Sequence, residues 1–158
     1  MIADEMFVTY AALGQMGRLG NQLFQVATVI GVAELYGCPF VLPPWPAAEH
    51  FAGEFLQRPD IPKVKLFLEK MFYHYPILID TSANLLGFFQ SEKYFLHCEE
   101  RIRRDFAPRP ETVSMLWSKY EDLLNRNTCS VHVRRGDYVK HPFFTNLAEA
   151  GYYERAFA

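Results

Sequence analysis

Two adjacent arginines, Arg134 and Arg135, follow a short apolar run, and Gly136 and Asp137 come directly after them. A guanidinium group is planar, permanently charged and able to bind two phosphate oxygens at once. The apolar run of residues 129–133 predicts a β-strand, and ligands of open α/β sheets bind just beyond the carboxyl ends of strands. The pattern therefore predicts a site for a phosphorylated ligand, in which Asp137 holds an arginine in place.

This arginine pair suits the transfer of a sugar from a nucleotide. When the glycosidic bond breaks, negative charge grows on the diphosphate, and fixed arginines stabilise that transition state more than the ground state. Two other interpretations stay open. The segment is a solvated turn with an internal Arg–Asp pair, which stabilises little, or residues 135–137 are an adhesion tripeptide, which would need a mobile loop instead of a β run. His132 fits a hydrogen-bonded strand residue better than a general base.

A glycine-rich turn near the N-terminus is the second candidate. Gly14, Gly17 and Gly20 are spaced three residues apart and precede a helical pattern, so backbone N–H groups and the helix dipole could meet an anion there. Asn21 and Gln22 add side chains that bind sugar hydroxyls or phosphate oxygens. The spacing differs from the dinucleotide-binding fingerprint, and a plain strand-to-helix turn is the alternative.

A third polar stretch, residues 90–94, follows an apolar run in the middle of the chain. It places several polar side chains at a strand end, although an ordinary helix start gives the same pattern. The histidines lack metal-ligand spacing, and there is no Asp-x-Asp pair of the kind that holds a divalent ion against a pyrophosphate. We therefore expect no metal, and the arginines would carry the phosphate charge alone.

The elements that must position these residues follow from periodicity. Residues 6–13 predict a strand, residues 22–36 a helix ended by Gly37, and residues 40–42 a second strand, which together form a parallel β-α-β unit. Residues 43–62, with five prolines, predict an ordered surface excursion carrying a short helix near residues 49–56.

Later elements are predicted in the same way. Residues 63–72 and 76–79 indicate short elements of uncertain type, and residues 85–89 indicate a strand with a weak centre at its glycine. Ser91 is predicted to cap a moderately helical stretch. Residues 147–158 begin a last helix. An amphipathic helix at 111–125 is predicted to turn these side chains inward: Val113, Leu116, Trp117, Tyr120, Leu123 and Leu124.

Composition sets the protein class. The chain has 158 residues, 50% of them hydrophobic and 16% aromatic, which predicts a folded α/β protein with a substantial core. The net charge of -2 argues against broad nucleic-acid binding. The three cysteines match no zinc or redox spacing, which is typical of reduced, mostly buried thiols in a cytoplasmic protein. No apolar stretch is long enough to span a bilayer.

Three segments together resemble one family, the α-1,2-fucosyltransferases of glycosyltransferase family 11. Residues 17–25 look like its N-terminal segment and residues 87–95 like its middle signature. Residues 131–139 match its first fucosyltransferase motif, His-x-Arg-Arg-x-Asp. The segments occur in the family's order and span most of the chain.

The resemblance implies inverting, metal-independent transfer of L-fucose from GDP-β-L-fucose to the 2-hydroxyl of a galactose-terminated glycan, without a cofactor. It also implies a GT-B fold of two facing Rossmann-like lobes. Arg134 and Arg135 would contact the GDP pyrophosphate, and His132 and Asp137 would shape that motif. The turn with Gly20 and Asn21 would lie near the β-phosphate and the reacting sugar. The family's contacts carried over to this chain are therefore six: Arg134, Arg135, His132, Asp137, Gly20 and Asn21.

This chain also departs from the family. Val26 stands where tyrosine is frequent, and family members run to about twice this length. We therefore expect a first lobe at residues 1–127 and only the start of the donor lobe at 128–158, with little or no turnover by this chain alone. The general base stays unassigned. The alternatives are a non-catalytic sugar- or nucleotide-binding module, a half-enzyme that needs a partner chain, and a fragment that only forms homo-oligomers. A cytoplasmic location, peripheral to a membrane at most, is expected.

Overall fold

The computed structural model describes residues 6–133, 136 and 150–157. The chain divides into two compact units, Met1–Met115 and Leu116–Ala158, and the lobe boundary expected near residue 127 stays a prediction. The strands are β1 Val8–Thr9, β2 Phe40–Val41, β3 Lys65–Leu68 and β4 Ala83–Leu86. The helices are α1 Leu19–Tyr36, α2 Glu99–Asp105, α3 Pro110–Leu124 and α4 Tyr152–Phe157, and short 3-10 helices cover Pro46–His50, Glu92–Tyr94 and Leu96–Cys98.

The four strands form one parallel sheet in the order β2-β1-β4-β3. Val8 in β1 lies opposite Phe40 on one side and Ala83 on the other. The α/β class and the parallel β1-α1-β2 unit are therefore confirmed. The strands are shorter than predicted, since β1 and β2 have two residues each. All four strands end at the same edge of the sheet, so the loops after them are neighbours.

Helix α1 packs on one face of this sheet and supplies much of the core. It begins before the predicted start, and its middle is buried continuously from Gln25 to Ala33. It ends as predicted: Gly37 donates its N–H to the carbonyl of Glu34 at 3.2 Å, and Cys38 donates to that of Ala33 at 3.0 Å. This pair of bonds is a Schellman cap.

Gly31 interrupts the helical pattern for a reason that only the structure reveals. A Cβ at this position would overlap the backbone carbonyl oxygen of Tyr94. The Nε2 atom of His97 lies 2.9 Å from the carbonyl oxygen of Gly31. The end of the middle signature and the residues just after it therefore lie directly on α1, where glycine leaves room for them.

The proline-rich excursion is held by aromatic packing. Trp45 is only 3% exposed, and its ring stacks on Phe51 at 5.8 Å and meets Phe55 edge-on at 5.3 Å. Phe106 closes this cluster. The excursion is ordered, as predicted, but its short helix is the 3-10 helix Pro46–His50, upstream of the expected position.

Other predicted elements need correction. The strand predicted at residues 85–89 is β4, which ends before Gly87, so the glycine ends the strand instead of lying at its centre. Ser91 caps a 3-10 helix, accepting the Lys93 N–H at 3.4 Å. Residues 76–79 form no helix or strand; the Tyr36 hydroxyl holds them through the carbonyl of Ile77 and the N–H of Ile79.

Helix α3 forms where it was predicted, but the inward direction of its apolar face is wrong. Among the residues that the structure describes, no side chain of this helix is buried. Tyr120 has non-helical backbone angles and kinks the helix. Val113 is half-buried, and the other predicted core residues are 41–55% exposed: Leu116, Trp117, Tyr120, Leu123 and Leu124.

The three cysteines differ in exposure. Cys98 is buried and Cys38 half-buried, whereas Cys129 is exposed, so the expectation of mostly buried thiols holds only in part. All three are free thiols. Within the described ranges, no helix combines the length and the apolar character needed to cross a bilayer.

Candidate active site

The candidate site lies at the carboxyl edge of the sheet, where two predicted motifs meet. Strands β1 and β4 are neighbours, and the loops after them carry the glycine-rich turn and the middle signature, respectively. From β1 the chain continues through α1 to β2 on the opposite side. Ligands of open parallel sheets bind in crevices outside the carboxyl ends of the strands.

A buried hydrogen-bond hub joins the two loops. The Tyr10 hydroxyl donates to the carbonyl oxygen of Gly87 at 2.6 Å and accepts the Gly87 N–H at 3.2 Å. Gln25 donates its Nε2 to the same carbonyl at 3.2 Å and to that of Met16 at 3.1 Å. Tyr10 and Gln25 are both fully buried. The start of the middle signature is therefore fixed to β1, α1 and the glycine-rich turn together.

The protonation state of Tyr10 suits this hub. Burial raises the pKa of its phenol, and the hydrogen bond to the Gly87 carbonyl opposes that rise only in part. A neutral phenol both donates and accepts, which the two contacts with Gly87 require. Tyr10 is thus a structural support of the site.

Asn21 lies half-buried at this crevice, and its role in binding a ligand stays a prediction. Its Oδ1 accepts a hydrogen bond from Nε2 of Gln90 at 2.6 Å. Its amide packs on Gly17, which has φ +77°, so closely that a Cβ at Gly17 would overlap it. Gly20 lies exposed on the first turn of α1 with open space beside it. The structure therefore brings the predicted turn and the polar residues after β4 to one place.

Glu69 is a residue of this site that the sequence did not single out. It follows β3, and its carboxylate accepts the N–H groups of Phe88 at 2.6 Å and Phe89 at 3.1 Å. Phe89 is fully buried and has φ +50°, an unusual value for a residue other than glycine. The carboxylate thus holds the middle signature in a strained shape. A lone acidic residue after an element of uncertain type gave no signal for this role.

The sequence also did not identify Tyr10 and Gln25 as residues that support the site. Gln25 belongs to the N-terminal family segment, and a glutamine on the apolar face of a predicted helix was the available signal. Gln22 has a supporting contact too, since its Oε1 accepts the indole N–H of Trp45 at 2.9 Å.

The arginine motif is described only in part. Arg134, Arg135 and Asp137 lie outside the described residues, so their roles stay predictions. His132 is exposed, and its carbonyl oxygen accepts the Tyr153 hydroxyl at 3.1 Å. The strand predicted from residue 129 is not found in residues 129–133, which belong to no described strand or sheet, and its Arg134 lies outside the described residues.

Side chains that could bind a metal do not cluster in the described ranges. In the part of the chain that the structure describes, no three His, Cys, Asp or Glu side chains lie close enough to share an ion. The polar groups at the carboxyl edge include amides, backbone groups and the Glu69 carboxylate, which already accepts two backbone N–H groups. Such an edge offers hydrogen bonds to a ligand.

Known proteins similar to this chain include galactoside alpha-(1,2)-fucosyltransferase 1 of Homo sapiens, which is 34% identical over 141 residues, 78% of this chain and 38% of that protein. The protein of the same name from Oryctolagus cuniculus is 33% identical over 144 residues, with the same shares. Alpha-1,2-colitosyltransferase of Escherichia coli is 38% identical over 61 residues, 38% of this chain and 20% of that protein. The chain spans less than two fifths of these relatives' length, and no solved structure matches.

The family follows from a match over nearly the whole chain. Residues 6–157 match the family described as Glycosyl transferase family 11. This range includes the glycine-rich turn, the middle signature and the arginine motif. The resemblance seen in the sequence is confirmed: the chain belongs to glycosyl transferase family 11.

Proposed function

We propose that this chain is part of an enzyme that transfers L-fucose from GDP-β-L-fucose to the 2-hydroxyl of a galactoside. The observation that carries the proposal is the joint position of Asn21 and Gln90, which brings two family segments 69 residues apart to one sheet edge. Family membership and the names of the fucosyltransferase relatives support the reaction type.

The chemistry is an inverting displacement. The acceptor oxygen attacks C1 of fucose from the face opposite GDP, the bond from C1 to the diphosphate oxygen breaks, and the acceptor hydroxyl passes its proton to a general base, which stays unassigned. Arg134 and Arg135 neutralise the departing diphosphate, Asp137 orients an arginine, and His132 supports the motif. Gly20 and Asn21 approach the β-phosphate and the sugar. No metal or cofactor takes part in this scheme.

The proposal extends to architecture. The parallel sheet with α1 would be the Rossmann-like first lobe of a GT-B enzyme, and the arginine motif would begin the donor lobe. On this view the chain alone has weak activity or none. The alternative is a non-catalytic sugar- or nucleotide-binding module, or a half-enzyme completed by a partner chain.

Calorimetric titration of GDP into the chain tests the arginine assignment. We expect measurable binding that the double substitution Arg134→Ala/Arg135→Ala abolishes, because the two guanidinium groups supply the charge that meets the diphosphate. The matched control is Arg103→Ala/Arg104→Ala, which removes two adjacent exposed arginines from α2. Equal affinity in the two double variants would refute the assignment.

A second assay separates the enzyme from the binding module. GDP release is followed with GDP-fucose and lactose, first with the chain and then with a longer protein in which the chain is extended to the full length of its relatives. We expect turnover only in the longer protein. Absence of fucosyl transfer by both, with GDP binding intact, would favour the non-catalytic module.

A further inference from the structure

A second cleft borders the glycine-rich turn, on the side of α1 where Gln22 meets Trp45. Its volume is about 690 Å³, and it lies between residues 13–15, the first turn of α1 and the segment at residues 44–50, here called the ridge. This volume falls within the range of about 300–1,000 Å³ that is common for small-molecule sites. Gln22 lines the cleft and is the direct neighbour of Asn21.

The ridge is a rigid wall. Trp45 is anchored by its aromatic neighbours, its indole N–H bonds Gln22, and its backbone N–H donates to Oε1 of Gln57 at 2.5 Å. The carbonyl of His50 accepts the Arg109 N–H at 3.0 Å. A cleft with a fixed wall binds its ligand with little ordering cost.

The chemistry of the lining selects a neutral ligand. Among the described residues, Glu49 is its one carboxylate and no lysine or arginine lines it, so a diphosphate would be repelled. Gln15, Gln22 and His50 add further hydrogen-bonding groups, whereas Leu13 and Pro46 are apolar. A sugar ring presents both hydroxyl groups and an apolar C–H surface, and this mixture matches it.

Glu49 is available to such a ligand. Its side chain is 75% exposed, and its only ion-pair neighbour among the described residues is His50, with 3.7 Å between Oε1 and Nε2. A carboxylate accepts hydrogen bonds from two adjacent sugar hydroxyls. We propose that this cleft is the subsite for the acceptor galactoside and that Glu49 binds its hydroxyl groups, an inference that rests on the proposed function.

The two tryptophans of the chain make the test direct. In the ¹⁵N-labelled chain, lactose is titrated with and without GDP, and the indole N–H signals are followed. Trp45 lines the cleft, whereas Trp117 is exposed on α3 and serves as the internal reference. We expect the Trp45 signal to move in a saturable way while the Trp117 signal stays in place.

Substitution then tests the carboxylate. Glu49→Gln should weaken lactose binding at least fivefold, because an amide accepts hydrogen bonds at one atom only. The control is Glu54→Gln, which replaces an exposed carboxylate outside this cleft and should leave lactose binding unchanged. Lactose that fails to move the Trp45 signal, or that binds both variants equally, overturns the inference. If the inference fails in this way, GDP binding that depends on the arginine pair would still support the proposed function. If lactose binds but GDP does not, the proposed function is removed and the cleft remains a galactoside site.

Discussion

Removing the carboxylate of Glu69 should loosen the middle signature and lower the stability of the fold, although the Glu69 side chain is half-exposed. Glu69→Ala deletes the acceptor of two backbone N–H groups, those of Phe88 and Phe89. A hydrogen bond to a charged group contributes about 1.5–3 kcal/mol. Because Glu69 is half-exposed, we take the low end of that range, so the two bonds together contribute about 3 kcal/mol.

The backbone of Phe89 favours the loosening of the loop, although relief of its strain opposes the loss of stability. Its φ of +50° costs about 1–2 kcal/mol in a residue with a side chain, and the carboxylate offsets that cost. Without Glu69 the loop is free to relax, which would move Gln90 away from Asn21. Loss of the loop's shape should therefore accompany the loss of stability.

Urea unfolding followed by tryptophan fluorescence measures the change, since Trp45 is buried in the unit that contains Glu69. A loss of about 3 kcal/mol lowers the midpoint by roughly 1–3 M at the slopes usual for small proteins. The matched control is Asp80→Ala, because Asp80 is an exposed carboxylate bound only to Lys65, at 2.9 Å, among the described residues. Equal midpoints for the two variants would refute the reasoning.

Two further substitutions test the packing and the hub. Gly31→Ala should lower the unfolding midpoint, because the added methyl group would overlap the Tyr94 carbonyl, although helix propensity alone predicts a gain in stability of about 1 kcal/mol. The control is Gly20→Ala, because Gly20 has open space beside it. A higher midpoint for Gly31→Ala would contradict the close approach of Tyr94 to α1. Burial raises the pKa of Tyr10, so its contribution to stability is complete below the ordinary tyrosine value of 10.0 and is lost as the pH rises through the folded-state pKa. Urea midpoints should fall in that alkaline range, and Tyr10→Phe should flatten part of the fall while lowering stability at neutral pH through loss of the Gly87 contacts. An unchanged pH profile in this variant would count against the hub.

The sequence predicted the fold best where local chemistry decides the structure. The β1-α1-β2 unit has strong signals, because an apolar run, a helical period and Gly37 each require one local conformation. The inward direction of the α3 side chains was predicted wrongly for the opposite reason. Periodicity shows that Trp117 and Leu123 share a face, but only a neighbouring element can bury that face.

The same distinction between local and long-range information applies to the candidate site. Asn21 and the polar residues after β4 were predicted as candidates because they follow strand ends, and the structure places them together. Their supports, Tyr10, Gln25 and Glu69, act through contacts with residues far away in the sequence. A single phenol, amide or carboxylate carries no spacing pattern, so such contacts become visible only when the chain is folded.

The hub around Gly87 has a consequence for how this edge assembles. Tyr10 and Gly87 are 77 positions apart, yet each fixes the other. Closing so long a loop costs conformational entropy before any contact is gained, and the bond from Gln25 to the Gly87 carbonyl forms only after that closure. Peptides that contain just one of the family segments should therefore lack the native shape of that segment, since the crevice is a property of the whole unit.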